Sequence, residues 1–278
     1  MKKILFAGAA LLIVASGPAM AADMARPEPA PAPVYKAPMM PVSSWTGAYI
    51  GVNAGYAWGD SEVSTSTVFS PTGYFALSSV PAIAAAGAQT INPNGFTGGG
   101  QIGYNWQASS AVVVGLEADF EYFGLKGSVT SGATYPCCAP TAFTIMQSVQ
   151  TDWLATFRAR LGFLVTPSTL IYVTGGGAVT NLQGNFIFTD TFVTAAESAA
   201  FTTSTWGWTV GGGFEWAMSG GWSAKAEYLF VSFPTASVTS TNLGAFTPRI
   251  PFPTNVFTHS ADLDANIVRI GLNYKIGH

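Results

Sequence analysis

Between residues 112 and 122 the chain reads VVVGLEADFEY, and apolar and polar side chains change places at almost every step. Val112, Val114, Leu116, Ala118, Phe120 and Tyr122 share one parity, and Glu117, Asp119 and Glu121 share the other. A period of two belongs to a β-strand, whose successive side chains leave opposite faces of the pleat. The pattern recurs at 45–59, where Ile50, Val52, Ala54, Tyr56 and Trp58 oppose Asn53, and at 96–106, where Phe96, Ile102, Tyr104 and Trp106 oppose Thr97, Gln101 and Asn105. At 153–163 Trp153, Phe157, Leu161 and Phe163 oppose Thr156, Arg158 and Arg160, and at 206–216 Trp208, Val210, Phe214 and Trp216 oppose Thr209 and Glu215. At 222–231 Trp222, Ala224, Ala226, Tyr228 and Phe230 oppose Lys225 and Glu227, and at 266–276 Val268, Ile270, Leu272, Tyr274 and Ile276 oppose Arg269, Asn273 and Lys275. An eighth segment, 169–179 (TLIYVTGGGAV), is rich in β-branched residues but has no polar face, so its phase stays open.

The charged residues of these segments are Glu117, Asp119, Glu121, Arg158, Arg160, Glu215, Lys225, Glu227, Arg269 and Lys275, and all lie on the less apolar parity. A soluble sandwich would also collect charge on one face, so the discriminating feature is what the apolar face carries. Trp45, Trp58, Trp106, Trp153, Trp206, Trp208, Trp216 and Trp222 all fall within two residues of a predicted strand end. Indole rings concentrate at the two interfaces of a bilayer, where an apolar body and one polar N–H are both accommodated. The pattern therefore predicts an all-β, eight-stranded antiparallel transmembrane barrel of up-and-down topology, with the charges in its lumen and the tryptophans in its girdles.

Composition agrees with a strand-built membrane protein. Charged residues make up 9% of the chain against about 25% in soluble domains, and 31 glycines leave too little helix former for a helical bundle. Residues 1–21 (MKKILFAGAALLIVASGPAMA) have the basic start, short apolar run and Ala19-Met20-Ala21 ending of a secretory signal peptide. Residues 22–44 form a Pro-rich periplasmic linker, and 45–278 the barrel domain. Connections alternate in length: Gln107–Ala111, Leu164–Ser168 and Ala217–Gly221 are short, whereas about 60–95, 123–152, 180–205 and 232–265 are long. Short periplasmic turns and long outer loops put Cys137, Cys138 and His259 outside the cell, and Ser109 and Gly220 in periplasmic turns.

Candidate chemistry is sparse. Cys137 and Cys138 are adjacent, so they cannot staple distant elements and have no metal-ligand spacing; a vicinal disulfide and two separate loop thiols both remain open. His259 with Ser260, Asp262 and Asp264 is the one cluster of histidine, acid and hydroxyl, but such near neighbours in sequence rarely form a triad, and no enzyme is expected. His259 and loop tyrosines are the haem-ligand candidates, without any spacing that selects them, so no cofactor is assigned. Asp60, Glu62, Asp152, Asp190, Glu197, Asp262 and Asp264 against Lys126 and Arg249 make the outer loops acidic, a surface that divalent cations would bridge to lipopolysaccharide phosphates. A net charge of −3 without a basic patch excludes nucleic acid.

The cleavage region AMAADM, WTGAYIGVNAGYAWG at 45–59, FTGGGQIGYNWQ, GLEADFEY and VRIGLNYKI together resemble the porin-family outer-membrane β-barrel proteins of alphaproteobacteria, such as the small major outer-membrane proteins of rhizobia and brucellae. The resemblance covers every strand except the fifth clearly. It implies a cell-envelope barrel of the outer membrane of a Gram-negative bacterium, delivered by the outer-membrane insertion machinery and embedded in lipid and lipopolysaccharide. Some relatives are described as porins or haem binders. Barrels of this kind normally end on an aromatic residue, whereas here Ile276 stands at that place, followed by Gly277 and His278. The expected role is structural, in envelope integrity and surface display, with a small diffusion porin as the alternative and a haem- or ligand-binding surface protein behind it.

Overall fold

The computed structural model describes residues 44–277; the predicted signal peptide, the linker up to residue 43 and His278 lie outside the described residues. Within them thirteen strands form one sheet. In chain order they are β1 (Gly47–Thr67), β2 (Gln89–Ile91), β3 (Asn94–Gln107), β4 (Val112–Phe123), β5 (Lys126–Thr134), β6 (Ala142–Gln150), β7 (Trp153–Thr166) and β8 (Thr169–Asp190). There follow β9 (Ala196–Ala217), β10 (Trp222–Ser240), β11 (Gly244–Ala245), β12 (Ile250–Pro251) and β13 (Phe257–Lys275). One short helix, α1 (Ser79–Gly87), lies in the connection after β1, and no described helix is long and apolar enough to cross a membrane.

All pairings are antiparallel, and they run β9–β10–β13–β1–β3–β4–β7–β8 before β8 pairs with β9 again. The sheet thus closes on itself, with no free edge along that circuit. The first and last strands meet over a long register, from Tyr49 opposite Lys275 to Thr67 opposite Phe257. At one end the strands are joined by tight turns. Ser109 Oγ accepts the amides of Ala111 and Val112 at 3.3 and 3.1 Å. Gly220 and Gly221 take φ of 72° and 80°, a left-handed conformation that glycine adopts without a Cβ penalty. At the other end β5 and β6 form a hairpin docked on β8, β2 pairs with β1, and β11 and β12 extend from β9.

Each segment of apolar–polar alternation coincides with a strand of the circuit to within two residues at the turn end, but several strands continue well past it: β8 and β9 have 22 residues each, β1 has 21. The long connections expected from sequence are correspondingly shorter. In β13 parity is kept along the whole strand while polarity inverts, whereas in β10 a bulge between Phe233 and Ala236 shifts the parity. In the lower part of β13 Val268, Ile270 and Leu272 are exposed and Arg269 and Asn273 are buried; in its upper part Ala261, Leu263, Ala265 and Ile267 are buried, and Asp264 is exposed. Apolar-out, polar-in becomes polar-out, apolar-in, which marks the level where hydrocarbon gives way to water. The open phase of 169–179 is settled too: Leu170, Tyr172, Thr174 and Ala178 are buried, and Ile171 and Val173 are exposed.

The space inside is filled in layers. Trp45, Val113, Leu170 and Tyr172 close the turn end. The buried charges come next. Above them lies an apolar layer that includes Phe123, Leu154, Phe186, Leu229, Val231, Phe233, Leu263 and Ile267. A cap built on Phe75, Ile83, Tyr135, Phe143, Phe188, Leu243 and Phe257 closes the far end. Because the upper halves of β8 and β9 are paired from Leu182 opposite Thr203 to Thr189 opposite Ala196, their amides are expected to exchange with deuterium as slowly as those of residues 170–179. Loop-like exchange within seconds across 182–189 would show that the strands end at the lipid boundary.

Candidate functional site

The distinctive chemistry of the molecule is the cluster of buried charges inside the closed sheet. Glu117, Asp119, Glu121, Arg158, Arg160, Glu215, Lys225, Glu227 and Arg269 are each 5% exposed or less. Each sits on a strand whose alternate side chains cover the outer face, so parity alone turns these groups inward. Arg158 is bonded to Glu117 and Asp119 at 2.6 Å each and to Glu227 at 3.0 Å. Arg269 reaches Glu227 at 2.6 Å, Glu121 at 2.9 Å and Asp119 at 3.2 Å. Arg160 meets Glu215 at 2.7 Å and Glu117 at 3.5 Å, and Lys225 meets Glu117 at 2.9 Å. Strands β7 and β10, or β13 and β4, are not sheet neighbours, so these contacts cross the interior from wall to wall.

Two pairings differ from those the strand order suggests. Glu121 lies opposite Leu154 in the ladder and takes Arg269 rather than Arg158 or Arg160. Glu215 is the register partner of Lys225, yet it binds Arg160 while Lys225 extends to Glu117. Long side chains in a narrow bore find partners across it as readily as along the wall. Lys275 stands apart: it is half-buried at the turn end, where its Nζ donates to the Ser44 carbonyl at 2.5 Å.

Several members carry no charge and are invisible to a search for ionisable residues. Tyr49 Oη donates to Glu117 at 2.7 Å and accepts from Arg160 at 2.8 Å. Tyr172 donates to Glu227 at 3.0 Å, and the Arg160 guanidinium lies 3.9 Å from its ring centroid. Thr156 donates to Asp119, and Ser223 and Asn273 donate to Glu215. These tyrosines also occupy the room left by inward glycines. A Cβ on Gly103 would lie 2.3 Å from the Tyr49 ring, and one on Gly213 2.9 Å from the Tyr172 hydroxyl. The glycines therefore make space for aromatic side chains rather than for a channel.

The tryptophans divide by level. Trp106, Trp216 and Trp222 are exposed near the tight turns, and Trp58, Trp206 and Trp208 are exposed eight to twelve residues up the strands, with half-buried Trp153 near their level. At ~3.3 Å per residue that separation is ~26–40 Å along the strand, or ~20–30 Å of height at a tilt of ~40°. Relative to the ends of the strands, Trp58, Trp206 and Trp208 are interior positions, because those strands continue above the upper belt. Trp45 leaves the expected girdle: it is 7% exposed and plugs the turn end, its indole N–H donating to the Pro167 carbonyl at 3.2 Å.

His259 is not in a loop. It lies in β13, fully buried, its ring stacked between Phe186 and Phe257 at 4.7 and 5.9 Å, with Nδ1 2.9 Å from Thr65 Oγ1 and Nε2 3.3 Å from Glu197 Oε1. Ser260, Asp262 and Asp264 follow the opposite or outer parity, so the sequence cluster does not converge on it. The acidic rim is also smaller than sequence suggested. Glu197 is buried on His259, and Asp190 accepts the hydroxyls of Tyr74 and Tyr135. Burial and the Asp190 carboxylate push both tyrosine pKa values well up, so both remain donors at any physiological pH. Among the described residues no three His, Cys, Asp or Glu side chains come together as metal ligands.

A closed antiparallel sheet with an apolar band outside, aromatic belts at two levels and an ion-paired interior defines a β-barrel that lives in a lipid bilayer. Residues 7–275 match the family described as outer membrane protein beta-barrel domain, and the chain belongs to that family. It is 32% identical over 275 residues to the 31 kDa outer-membrane immunogenic protein of Brucella melitensis, covering 99% of this chain and the whole of that one. Identity to the 22 kDa outer membrane protein of Rhizobium leguminosarum is 24%, over 86% of this chain and 82% of the other. Among solved structures, Ail of Yersinia pestis aligns with a TM-score of 0.28 at 13% identity, over 80% of this chain and 99% of that one. The protein is an outer-membrane β-barrel.

Removing one partner of a buried pair leaves an uncompensated charge, typically at a cost of ~3–5 kcal/mol. Arg158→Met, which strands Glu117, Asp119 and Glu227 together, is expected to lower unfolding stability in lipid vesicles by about that amount. A urea midpoint equal to wild type would remove the ion network from the account of stability.

Proposed function

We propose that the membrane-spanning unit is an eight-stranded up-and-down barrel, formed by β1, β3, β4, β7, β8, β9, β10 and β13, and that it works as a non-conducting, non-enzymatic structural element of the outer membrane. What supports the strand number is the pairing circuit, in which each of these strands has a neighbour on both sides. The single observation that carries the functional reading is the apolar layer above the charges: Phe123, Leu154, Leu182, Leu229, Val231, Leu263 and Ile267 are 1% exposed or less. Water crossing the bore would have to pass an ion network that bridges it from wall to wall and then a dry layer. Barrels of this width hold side chains, whereas open aqueous channels belong to about sixteen strands or more.

In this reading the outside lipid and lipopolysaccharide are the partners of the wall, and the strands that project beyond the upper tryptophan belt display the cap. The ten charges predicted for the lumen act structurally, and the seven tryptophans other than Trp45 set the depth of the barrel in the bilayer. Tight turns face the periplasm and the β5–β6 hairpin faces the medium.

Refolded protein in planar bilayers at neutral pH is expected to give no reproducible open-channel steps; large, steady steps would establish a diffusion porin instead. An epitope inserted after Cys138 is expected to be reached by antibody on intact cells. Labelling only after permeabilisation would invert the topology.

A further inference from the structure

Cys137 and Cys138 are joined by a disulfide at the tip of the β5–β6 hairpin. A bond between sequence neighbours closes no length of chain, so it removes almost none of the unfolded-state entropy through which disulfides stabilise folds. The hairpin is held without it. The strands pair up to Thr134 opposite Ala142, Tyr135 N–H donates to the Thr141 carbonyl at 2.9 Å, and the Cys138 amide donates to the Tyr135 carbonyl at 3.1 Å. Tyr135 itself is buried in the cap and bonded to Asp190. The two cysteines, with Pro136 and Pro140 on either side, are exposed on top of this anchored base. An S–S bond that staples nothing and stands at an exposed turn is available for chemistry rather than for stability.

The surroundings distinguish the two sulfurs. Cys137 Sγ lies 3.6 Å from Ser79 Oγ, and Ser79 is the first residue of α1. A hydroxyl donor and the positive end of a helix both favour a thiolate at that sulfur. Among the described residues Cys138 is bonded through its backbone, to Tyr135 and Thr141 of its own turn. In thiol–disulfide exchange the sulfur that leaves as the better-stabilised thiolate leaves faster.

We propose that the Cys137–Cys138 disulfide is a thiol-exchange site on the outer surface, which takes up one external thiol on Cys138. The thiolate of the incoming thiol attacks Cys138 Sγ and forms a new S–S bond there. The Cys137–Cys138 bond breaks, and its electron pair leaves on Cys137 Sγ, where the Ser79 hydroxyl donates to it until it takes a proton from water. One disulfide replaces another, so no further oxidant or reductant is needed. The result is a reversible covalent attachment of a thiol-bearing molecule to the hairpin tip.

The test uses the full chain folded in lipid vesicles at neutral pH. Glutathione stands for a soluble thiol and thiol-bearing beads for one held on a surface, and free thiols are then trapped with iodoacetamide and mapped by peptide mass spectrometry. The expected product carries one glutathione on Cys138 and the alkyl group on Cys137, and Cys137→Ser with Cys138→Ser gives no adduct. Ser79→Ala is expected to slow exchange roughly threefold, the worth of one modest hydrogen bond. Capture by the beads without a glutathione adduct would assign the site to surface-held thiols. Both cysteines alkylated before any thiol is added, or no reaction with either probe, would overturn the proposal. Equal adducts on the two cysteines of the wild type would overturn the role of Ser79 without depending on how any variant folds.

Discussion

Arg158 and Arg269, each held by three carboxylates from more than one strand, set the terms for the rest of the barrel. Hydrocarbon outside the wall tolerates no charge at low cost, and side-chain parity alternates strictly along a strand. Once these groups point inward, every other residue on their strands has its side of the wall assigned. A one-residue slip of β7 would turn Arg158 and Arg160 into the lipid at ~2–4 kcal/mol each near the midplane. It would also break their pairs with Glu117 and Glu215. The network therefore specifies register, which a glycine-rich lipid-facing wall with Gly98, Gly100, Gly175 and Gly177 would otherwise leave loosely defined.

The spanning part was legible because two constraints agree there, one from lipid and one from the filled bore. Glu117, Asp119 and Glu121 alternate with Leu116, Ala118 and Phe120, and both halves of the signal are strong. The strand 169–179 is silent because its inward positions, Leu170, Tyr172, Thr174, Gly176 and Ala178, carry no charge; Tyr172 serves the network through its hydroxyl and ring. Pairings were only partly legible. Ladder neighbours follow from strand order, but Lys225 to Glu117 and Arg269 to Glu121 depend on how far side chains reach across a closed tube. Trp45 illustrates the same limit: its place next to a strand end reads as a girdle position, while the mouth it plugs exists only once the sheet has closed.

The upper halves of the strands carry a different signal. A search for an apolar outer face stops where the outer face turns polar, yet the alternation itself does not stop. In β13 Ala261, Leu263 and Ala265 keep the inward parity of Arg269, and Asp262 and Asp264 keep the outward parity of Ile270. The sign of the pattern changes because the solvent does. Where the strands stand in water, a dry interior becomes the stabilising arrangement, as in any soluble β-domain. His259 is explained by the same shift: it sits among inward residues of the watery half, where Phe186 and Phe257 cover its ring faces.

The same inversion gives the molecule reach. From Trp58 to Thr67 β1 continues for nine residues above the upper belt, which at ~3.3 Å per residue and a tilt of ~40° is ~20 Å of rigid, hydrogen-bonded wall. The polar layer of a phospholipid leaflet is only ~5–8 Å deep. The hairpins that crown this stalk are held clear of the headgroups by the backbone ladder itself, so the barrel carries its outermost turns as a pedestal carries a load, at a height fixed by strand length and independent of the fluidity of the membrane below.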